Sequence, residues 1–494
     1  MNRKILLVFP GLYGTHDVNM PLPLLYLSKP LLENGFEPII FDCRLKKTRE
    51  LPLNDDYICV GISTMSGRQV SEALNAARFI RAKRPDLKII WGGPHPNSLP
   101  VQTAQSSFVD IVVRGEGEQT FLELAQRIVS NQSFDDVRGL AYILNGILKI
   151  TPDREVIDID TTIDLPYHLL DMHQYPNVRD KFELLTSKGC PHDCGFCSNE
   201  INYGRKWRGK TPEKVIEEMD HIIKKFNPKK FVIIDGNFFV NRVRVEKICR
   251  GIIEKGWNLE IYAMIRADYA ARYDDNFYGL LVQAGFKELA FGAESGSDRI
   301  LEIIGKGSKV QHTLDTIRIF KRFNLRPVIS FMMGFPTETR GELNQTIDLY
   351  DKIMEIDTNA FVNGIFIFTP FPNAPLSDLV EKEYGYTPPQ SLEEWGRWHW
   401  SNKSNISWVD TKTSQQYEAM YAISRFFFIK KMISSWNLRQ LKVRCGSYPI
   451  ALAVILFNTG FFIFAWLRWK SRFFRYPWEW KVWFFFYSRF KGID

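Results

Sequence analysis

Short apolar runs alternate with amphipathic segments along the first 145 residues. The runs are typical of buried strands, and the segments between them have the periodicity of helices. The runs lie at 4–10, 37–42, 57–63, 88–93 and 110–115. Repeated β-α units of this length predict a doubly wound parallel sheet over residues 1–145, with ligands bound at the carboxyl ends of its strands.

A second series of β-α units occupies residues 181–385, after a proline- and acid-rich stretch at 146–180 that is typical of a linker. Six apolar runs predict parallel strands, and the helical patterns between them predict a partial (β/α)6 barrel. The runs lie at 182–189, 230–237, 259–266, 288–295, 326–336 and 361–370. In such a barrel the chemistry takes place at the carboxyl ends of the strands.

The last segment, 386–494, is predicted to be helical and is rich in aromatic and basic residues. Its residues 449–467 carry no charge, and a helix of that length reaches about 28 Å, close to a bilayer core. Basic residues on both sides disfavour a simple span, and the aromatic-basic sequence that follows is typical of an interfacial anchor. We predict that 446–494 contacts the cytoplasmic face of a membrane; a hairpin packed on the barrel, or a subunit interface, is the alternative.

Positive charge is concentrated in that tail. The 494 residues carry a net charge of +8. From Arg425 onward there are thirteen Lys and Arg against two acids, so the preceding residues sum to about −3. The body of the protein is therefore not predicted to bind nucleic acid. Seven cysteines, three clustered and four scattered, make a poor disulfide framework, which predicts a reducing cytoplasm.

The three clustered cysteines carry the strongest chemical signal in the chain. Cys190, Cys194 and Cys197 follow a C-x3-C-x2-C spacing, with glycine and proline between them. Three thiolates on a cluster of four irons leave one iron without a protein ligand, and an open metal position can support chemistry. The alternative is a structural zinc loop with a fourth ligand such as His192 or Cys249.

This cysteine spacing, with an aromatic residue before the last cysteine, resembles the signature of the radical-SAM superfamily. In the first domain, the sequence from Gly92 to His95 is followed about twenty residues later by Arg114 to Glu118. That pair of motifs resembles the cobalamin-binding domain of cobalamin-dependent radical-SAM enzymes. The group includes radical-SAM methyltransferases and the anaerobic magnesium-protoporphyrin monomethyl ester cyclase.

The resemblance implies three cofactors: a [4Fe-4S] cluster on Cys190, Cys194 and Cys197, S-adenosylmethionine on the open iron, and cobalamin. The positions implied for S-adenosylmethionine, at the ends of barrel strands, are Asp235, Arg266, Glu294, Ser295 and Gly334. The positions implied for the cobalamin face are Gly92, Gly93, His95, Gly115 and Glu116. The cobalt-ligating D-x-H-x-x-G motif is absent, so a histidine-ligated cobalt is not predicted and His95 is expected to be a loop residue near the ligand.

The chemistry implied by the resemblance is reductive cleavage of S-adenosylmethionine to a 5′-deoxyadenosyl radical, which takes hydrogen from a substrate C–H bond. Methylcobalamin can then deliver a methyl group to the substrate radical. We expect C-methylation of a hydrophobic small molecule or lipid, with an external electron donor such as flavodoxin or ferredoxin. An oxidative cyclase without methyl transfer is the second hypothesis, and a non-catalytic cobalamin or redox sensor is the third.

Overall fold

The computed structural model of the protein describes residues 3–15, 18–161, 164–398, 406–435 and 463–474. The chain forms two units that are each made from separated segments. The first contains Met1–Pro191, Ser198–Phe231 and Thr387–Trp400, and the second contains His192–Cys197, Val232–Tyr386 and Ser401–Asp494. The predicted boundaries at 145 and 181 do not coincide with this division.

The first unit is built on a seven-stranded sheet in the order β2-β1-β3-β4-β5-β6-β7. Its strands are β1 (Lys4–Phe9), β2 (Glu37–Asp42), β3 (Cys59–Ser63), β4 (Lys88–Gly92), β5 (Ile111–Val113), β6 (Leu140–Leu144) and β7 (Ile147–Ile150). The first five are parallel to their neighbours, as the apolar runs predict. Strands β6 and β7 add an antiparallel hairpin that the sequence analysis did not predict.

Helices cover this sheet because their apolar residues recur at helical spacing. They are α1 (Leu22–Glu33), α2 (Arg68–Lys83), α3 (Pro94–Ser98), α4 (Pro100–Ala104) and α5 (Gly117–Val129). Leu24 and Leu31 of α1 share one buried core with Phe121 and Leu124 of α5 and with Leu7 of β1. The spacing of three or seven residues within each helix places both members on the face that meets the sheet.

Short elements follow along the chain. Residues 146–180, predicted as a linker, contain four short 3-10 turns, at Ile159–Thr161, Tyr167–Leu169, Met172–Gln174 and Pro176–Arg179. Next come β8 (Phe182–Leu184), β9 (Ser187–Lys188), α6 (Asn199–Tyr203), β10 (Arg208–Gly209) and α7 (Pro212–Phe226). Strands β9 and β10 form an antiparallel pair, so the chain between them is a loop whose two ends meet at this ladder.

The barrel strands continue with β11 (Lys230–Ile233), β12 (Glu260–Met264), β13 (Phe286–Glu294), β14 (Arg326–Met333) and β15 (Phe361–Ile367). All six strands predicted for this region are therefore present. In the second unit, β12, β13, β14 and β15 lie side by side in that order and are parallel. The fold class is confirmed as α/β with parallel sheets in both units.

The remaining helices are α8 (Arg242–Glu254), α9 (Ala267–Ala270), α10 (Asp275–Gln283), α11 (Asp298–Ile303), α12 (Val310–Arg322), α13 (Arg340–Ile356), α14 (Pro375–Tyr384), α15 (Leu392–Arg397) and α16 (Thr411–Ser435). Helix α13 begins at a capping box, in which Thr339 and Glu342 satisfy backbone N–H groups reciprocally. Helix α15 belongs to the first unit and α16 to the second.

The predicted helical C-terminal region is confirmed by α16, and residues 463–470 are also helical. Among the residues that the structure describes, none of the helices combines the length and the apolar character that crossing a bilayer requires. Most of the segment 449–467 and all of 475–494, on which the membrane prediction rests, lie outside the described residues.

Candidate functional site

The stem of the cysteine loop lies in the first unit. Arg208 pairs with Lys188 and Gly209 with Ser187 in the β9-β10 ladder. Gly189 follows this ladder with φ +82°, and a Cβ there would lie 2.1 Å from the carbonyl oxygen of Lys206. Only glycine fits so close a backbone approach at a positive φ, which is a local reason for the glycine that precedes Cys190.

The tip of the loop, His192–Cys197, lies in the second unit. The Gly195 N–H donates to the Ile304 carbonyl at 2.9 Å, and the Gly195 carbonyl accepts from the Leu376 N–H at 2.9 Å. Phe196 packs against Phe335, with ring centroids 6.2 Å apart. The tip is therefore held by backbone bonds and an apolar contact directly after Cys194.

The thiols of the loop differ from the scattered ones. None of these six cysteines forms a disulfide; Cys190, Cys194 and Cys197 are half-buried, whereas Cys43, Cys59 and Cys249 are buried. Burial raises the pKa of each of the last three thiols to about 12, so they remain protonated and act as small apolar side chains. Within the described part of the chain, no three His, Cys, Asp or Glu side chains are close enough to hold a metal ion.

A buried guanidinium lies against one of the loop thiols. Arg266, at the end of β12, donates from Nη1 to Cys194 Sγ at 3.5 Å. Its Nε donates to Asp268 Oδ1 at 2.9 Å, and its Nη2 donates to the Lys306 carbonyl. Hydrogen bonds to ligand sulfurs are among the interactions by which a protein tunes an iron–sulfur site.

Lys306 is the second buried cation near the tip. Its Nζ donates to Glu294 Oε1 at 2.8 Å and lies 5.8 Å from the centroid of the Phe196 ring. Glu294 ends β13 with φ +59°, an unusual conformation for a residue with a side chain. A Cβ on Gly292 would come within 1.9 Å of Glu294 Oε1, so a side chain there would displace the carboxylate from its present position.

Such left-handed conformations cost of order 1–3 kcal/mol and occur preferentially at functional sites. The pairing of β13 with β14 also shifts register between Gly292 and Glu294, and bulges at strand ends re-aim side chains. The strand end predicted to contact S-adenosylmethionine is therefore distorted, and its carboxylate is directed at Lys306.

The other positions predicted for S-adenosylmethionine have mixed surroundings. Asp235 follows β11 and is fully buried. Ser295 is also buried, and its hydroxyl lies 3.3 Å from the Thr346 hydroxyl of α13. Gly334 follows β14; its N–H donates to Glu338 Oε2 at 2.6 Å and its carbonyl accepts from Trp408 Nε1 at 3.2 Å. The roles of these three residues stay predictions.

The sequence analysis missed Lys306 and gave Asp268 no role. Lys306 stands between Gly305 and Gly307, which both have φ +64°, so a lysine flanked by glycines in the turn after α11 was the available signal. Asp268 is two residues from Arg266, and an opposite charge at that spacing could have indicated the pair. Neither signal identifies the thiol that Arg266 contacts.

In the first unit, the loop after β4 is tightly packed. Gly93 has φ +98°, and a Cβ there would lie 2.9 Å from the Thr64 carbonyl oxygen. Two buried polar atoms at the ends of β3 and β4, Thr64 Oγ1 and His95 Nε2, have no hydrogen-bond partner among the described residues. Buried polar atoms are nearly always bonded in proteins, so this pair indicates a place where a polar ligand group would be satisfied.

His95 itself is fully buried. Its Nδ1 is 3.0 Å from Ser66 Oγ, and its ring packs edge-on against Trp395 of α15 with centroids 5.6 Å apart. Burial lowers the pKa of His95 to about 4, so the imidazole is neutral. It is a buried residue of the short helix α3, and not the loop residue that the sequence predicts, and it lies close to the strand end predicted for cobalamin.

Glu116 is engaged by cations of this chain. Its carboxylate pairs with Arg208 and lies 3.5 Å from Lys188 Nζ, while Glu118 bonds the same ammonium at 2.9 Å. Burial lowers the pKa of Lys188, but the two glutamates outweigh it and the pKa is raised overall. Gly115 has φ +74° and open space around it. Glu116 thus ties the loop after β5 to the stem of the cysteine loop, and its predicted place on the cobalamin face stays a prediction.

The side chains present in the two units are of the types that the implied cofactors require. Three half-buried thiols that form no disulfide, one of them beside an arginine, are the ligand type of an iron–sulfur cluster that keeps one iron open. The unpartnered atoms of Thr64 and His95 lie at strand carboxyl ends, where sheets of this type bind ligands.

Comparison with known proteins bears on these assignments. Residues 184–350 match the model of the Radical SAM superfamily, and residues 17–125 match that of the B12 binding domain. An uncharacterized methyltransferase of Pyrococcus horikoshii is 32% identical over 387 residues, which cover 76% of this chain and 82% of that protein. The anaerobic magnesium-protoporphyrin IX monomethyl ester cyclase of Synechocystis sp. is 26% identical, with 64% of each chain covered.

Among solved structures, the cobalamin-dependent S-adenosylmethionine radical enzyme OxsB, with aqua-cobalamin and S-adenosylmethionine bound, superposes with a TM-score of 0.71. It is 18% identical and covers 89% of this chain and 68% of its own, so this likeness concerns the fold. S-adenosylmethionine, a [4Fe-4S] cluster and cobalamin are the cofactors that the two matched domains use. The chain belongs to the family of cobalamin-dependent (B12-binding) radical-SAM enzymes.

Proposed function

We propose that the protein transfers a methyl group to a carbon atom of a hydrophobic substrate. The observation that carries the proposal is the charged setting of Cys194, whose Sγ accepts a hydrogen bond from buried Arg266. Lys306 adds a second buried cation near the tip of the cysteine loop. The relative in P. horikoshii is named a methyltransferase, which supports methyl transfer as the reaction class.

Bound cluster, S-adenosylmethionine and cobalamin would supply a carbon-centred radical and a methyl group. The chain's own residues would keep the cysteine tip in place and dry. Backbone bonds from Ile304 and Leu376 fix Gly195, and both side chains belong to a buried apolar cluster with Phe335. Excluding water protects a radical from side reactions and strengthens the nearby charge interactions.

The test is incubation of reconstituted enzyme with methyl-labelled S-adenosylmethionine and a hydrophobic extract. A flavodoxin or ferredoxin is the proposed electron donor, and dithionite is its chemical substitute. Label in a product supports methyl transfer, whereas label that stays in methionine contradicts it.

Cys194→Ala tests the site assignment, with Cys249→Ala as the matched control because that thiol is buried on α8. We expect the first variant to lose both the cluster absorbance and the production of 5′-deoxyadenosine, and the second to keep both. Cleavage that persists in Cys194→Ala would overturn the assignment.

An oxidative cyclase is the second candidate, and the relative in Synechocystis with that name favours it. It predicts consumption of substrate and formation of 5′-deoxyadenosine, with no label in the product. A non-catalytic cobalamin or redox sensor predicts that no 5′-deoxyadenosine accumulates after reduction. The same incubation therefore separates all three.

The lipid substrate is proposed from the surface of residues 463–474. Trp469 is buried, and its Nε1 donates to Asp351 Oδ1 of α13 at 2.9 Å, while Arg472 pairs with Asp348 at 2.7 Å. These contacts anchor the segment and leave several apolar side chains exposed, namely Ile463, Phe464, Trp466, Leu467 and Phe473. An apolar face bordered by basic residues suits the surface of an anionic membrane.

Vesicles of phosphatidylcholine and phosphatidylglycerol test the membrane proposal by co-sedimentation. Leu467→Glu should weaken binding because it places a negative charge on the apolar face. Val243→Glu, the same kind of change on exposed α8, is the control and should bind like wild type. Deletion of residues 446–494 should abolish binding. Wild-type protein that stays in the supernatant would contradict the proposal.

A further inference from the structure

Arg266 occupies a position from which its side chain cannot turn freely. It precedes the short helix α9 in an extended conformation, and its guanidinium is buried. Two of its nitrogen atoms are held by other groups, one by the Asp268 carboxylate and one by the Lys306 carbonyl. The planar fork of arginine then fixes the direction of the third nitrogen.

That third nitrogen, Nη1, is the one that donates to Cys194 Sγ. Arg266 is among the positions implied for S-adenosylmethionine, and that role stays a prediction. In the structure its carboxylate partner is Asp268, at 2.9 Å, and the remaining donor is directed at sulfur. Gly307 lies beside the guanidinium, and a Cβ there would be in ordinary van der Waals contact with Nη2, at 3.5 Å.

We propose that Arg266 is a positioning residue that donates a charged hydrogen bond to the Cys194 thiolate and thereby sets the reduction potential of the cluster. Hydrogen bonds and charges at the ligand sulfurs are established determinants of such potentials. Adding an electron makes the cluster more negative, so a nearby positive donor stabilises the reduced form and raises the potential. Asp268 opposes this effect by partly neutralising the guanidinium.

The proposal rests on the cluster and does not require methyl transfer. Its failure can therefore be distinguished from failure of the proposed function, which is read from labelled product. A purely structural role for Arg266 would change how much iron the protein binds but would leave the potential of the bound cluster unchanged.

The experiment is an anaerobic redox titration of the reconstituted full-length protein, followed by the electron paramagnetic resonance signal of the reduced cluster. Iron content per chain is measured on each sample. Arg266→Gln should lower the midpoint potential because the charge is lost. Arg266→Lys, which keeps the charge but not the fork, should fall between Arg266→Gln and wild type.

Asp268→Asn supplies a test of the opposite sign. It preserves an oxygen that can accept from Arg266 Nε but removes the negative charge, so the midpoint potential should rise. Arg318→Gln is the control, because Arg318 is an exposed residue of α12 paired with Asp315; its potential should equal that of wild type.

Opposite shifts in Arg266→Gln and Asp268→Asn support the proposal. A wild-type potential in Arg266→Gln at wild-type iron content overturns it. If Arg266→Gln fails to bind iron, Asp268→Asn decides: a raised potential supports the proposal, and a potential at or below that of wild type overturns it.

Discussion

Glu338 offers the sharpest prediction about pH. Its Oε2 accepts the Gly334 N–H at 2.6 Å, and its Oε1 is buried without a partner among the described residues. Burial raises the pKa of this carboxyl from 4.5 to about 8, and the charge of nearby Glu342 adds to the increase. The side chain is therefore mostly protonated at neutral pH.

The sign of the effect follows from proton binding. Between pH 4.5 and about 8 the folded protein keeps the proton while the unfolded chain has released it, so stability is lost as pH rises through this window. At 1.36 kcal/mol per pKa unit, the full loss approaches about 5 kcal/mol. Glu338→Gln resembles the protonated acid and cannot lose a proton, so it should escape this loss.

We expect Glu338→Gln to match wild type near pH 5 and to be more stable near pH 9, by up to about 5 kcal/mol. Hydrogen exchange of peptides from β14 and α13 measures this locally, and comparison at equal pH cancels the intrinsic exchange rate. Protection near pH 9 should rise by up to about three and a half orders of magnitude, one for each pKa unit of the shift. Glu355→Gln, at an exposed position of α13, is the control. Equal protection of Glu338→Gln and wild type at both pH values would refute the reasoning.

Three further predictions concern the first unit. Lys210 and Glu218 form an ion pair at 2.6 Å with almost no exposure. Lys210→Met should lower the free energy of unfolding in urea by about 3–5 kcal/mol because it leaves a buried carboxylate unpaired, and adding Glu218→Leu should recover most of that loss. A Lys210→Met variant as stable as wild type would contradict this prediction. An alanine Cβ at Gly93 would lie 2.9 Å from a backbone oxygen, whereas one at Gly115 would have nothing within 4 Å. Both glycines have a positive φ, so Gly93→Ala should lower the melting temperature more than Gly115→Ala does and should cost about 1–3 kcal/mol more stability. Equal effects of the two substitutions would argue against the close contact. Burial lowers the pKa of His95 from 6.5 to about 4, so the protein should lose up to about 3 kcal/mol of stability as the pH falls through that range. His95→Gln should reduce this dependence of the melting temperature on pH. An unchanged dependence would count against a neutral buried ring.

Much of the architecture was predictable because it depends on local pattern. The apolar run at 4–10 becomes β1 (Lys4–Phe9), and the run at 288–295 becomes part of β13 (Phe286–Glu294). Strand formation needs only a short apolar stretch bounded by turn residues, and both are visible in the chain. The cysteine spacing is equally local, since eight residues carry all three thiols.

The antiparallel hairpin of β6 and β7 was not predicted because one of its strands lacks such a local pattern. Its second strand is mostly exposed, so it lacks the apolar run that identifies a buried strand. Likewise, helix α15 groups with the first unit although it follows the barrel in sequence. Trp395 covers His95 there across a separation of 300 residues, and no local pattern specifies such a contact.

The sequence by itself determined the order of strands and helices, the α/β class of both units, and the loop that carries Cys190, Cys194 and Cys197. Only the tertiary structure decided how the charged residues pair. Glu116, which is predicted to lie on the cobalamin face, bonds Arg208, and Arg266, which is predicted to lie near S-adenosylmethionine, contacts Asp268 and Cys194. A buried charge must find an opposite charge or a hydrogen-bond partner, but which group supplies it depends on chain segments brought together by packing.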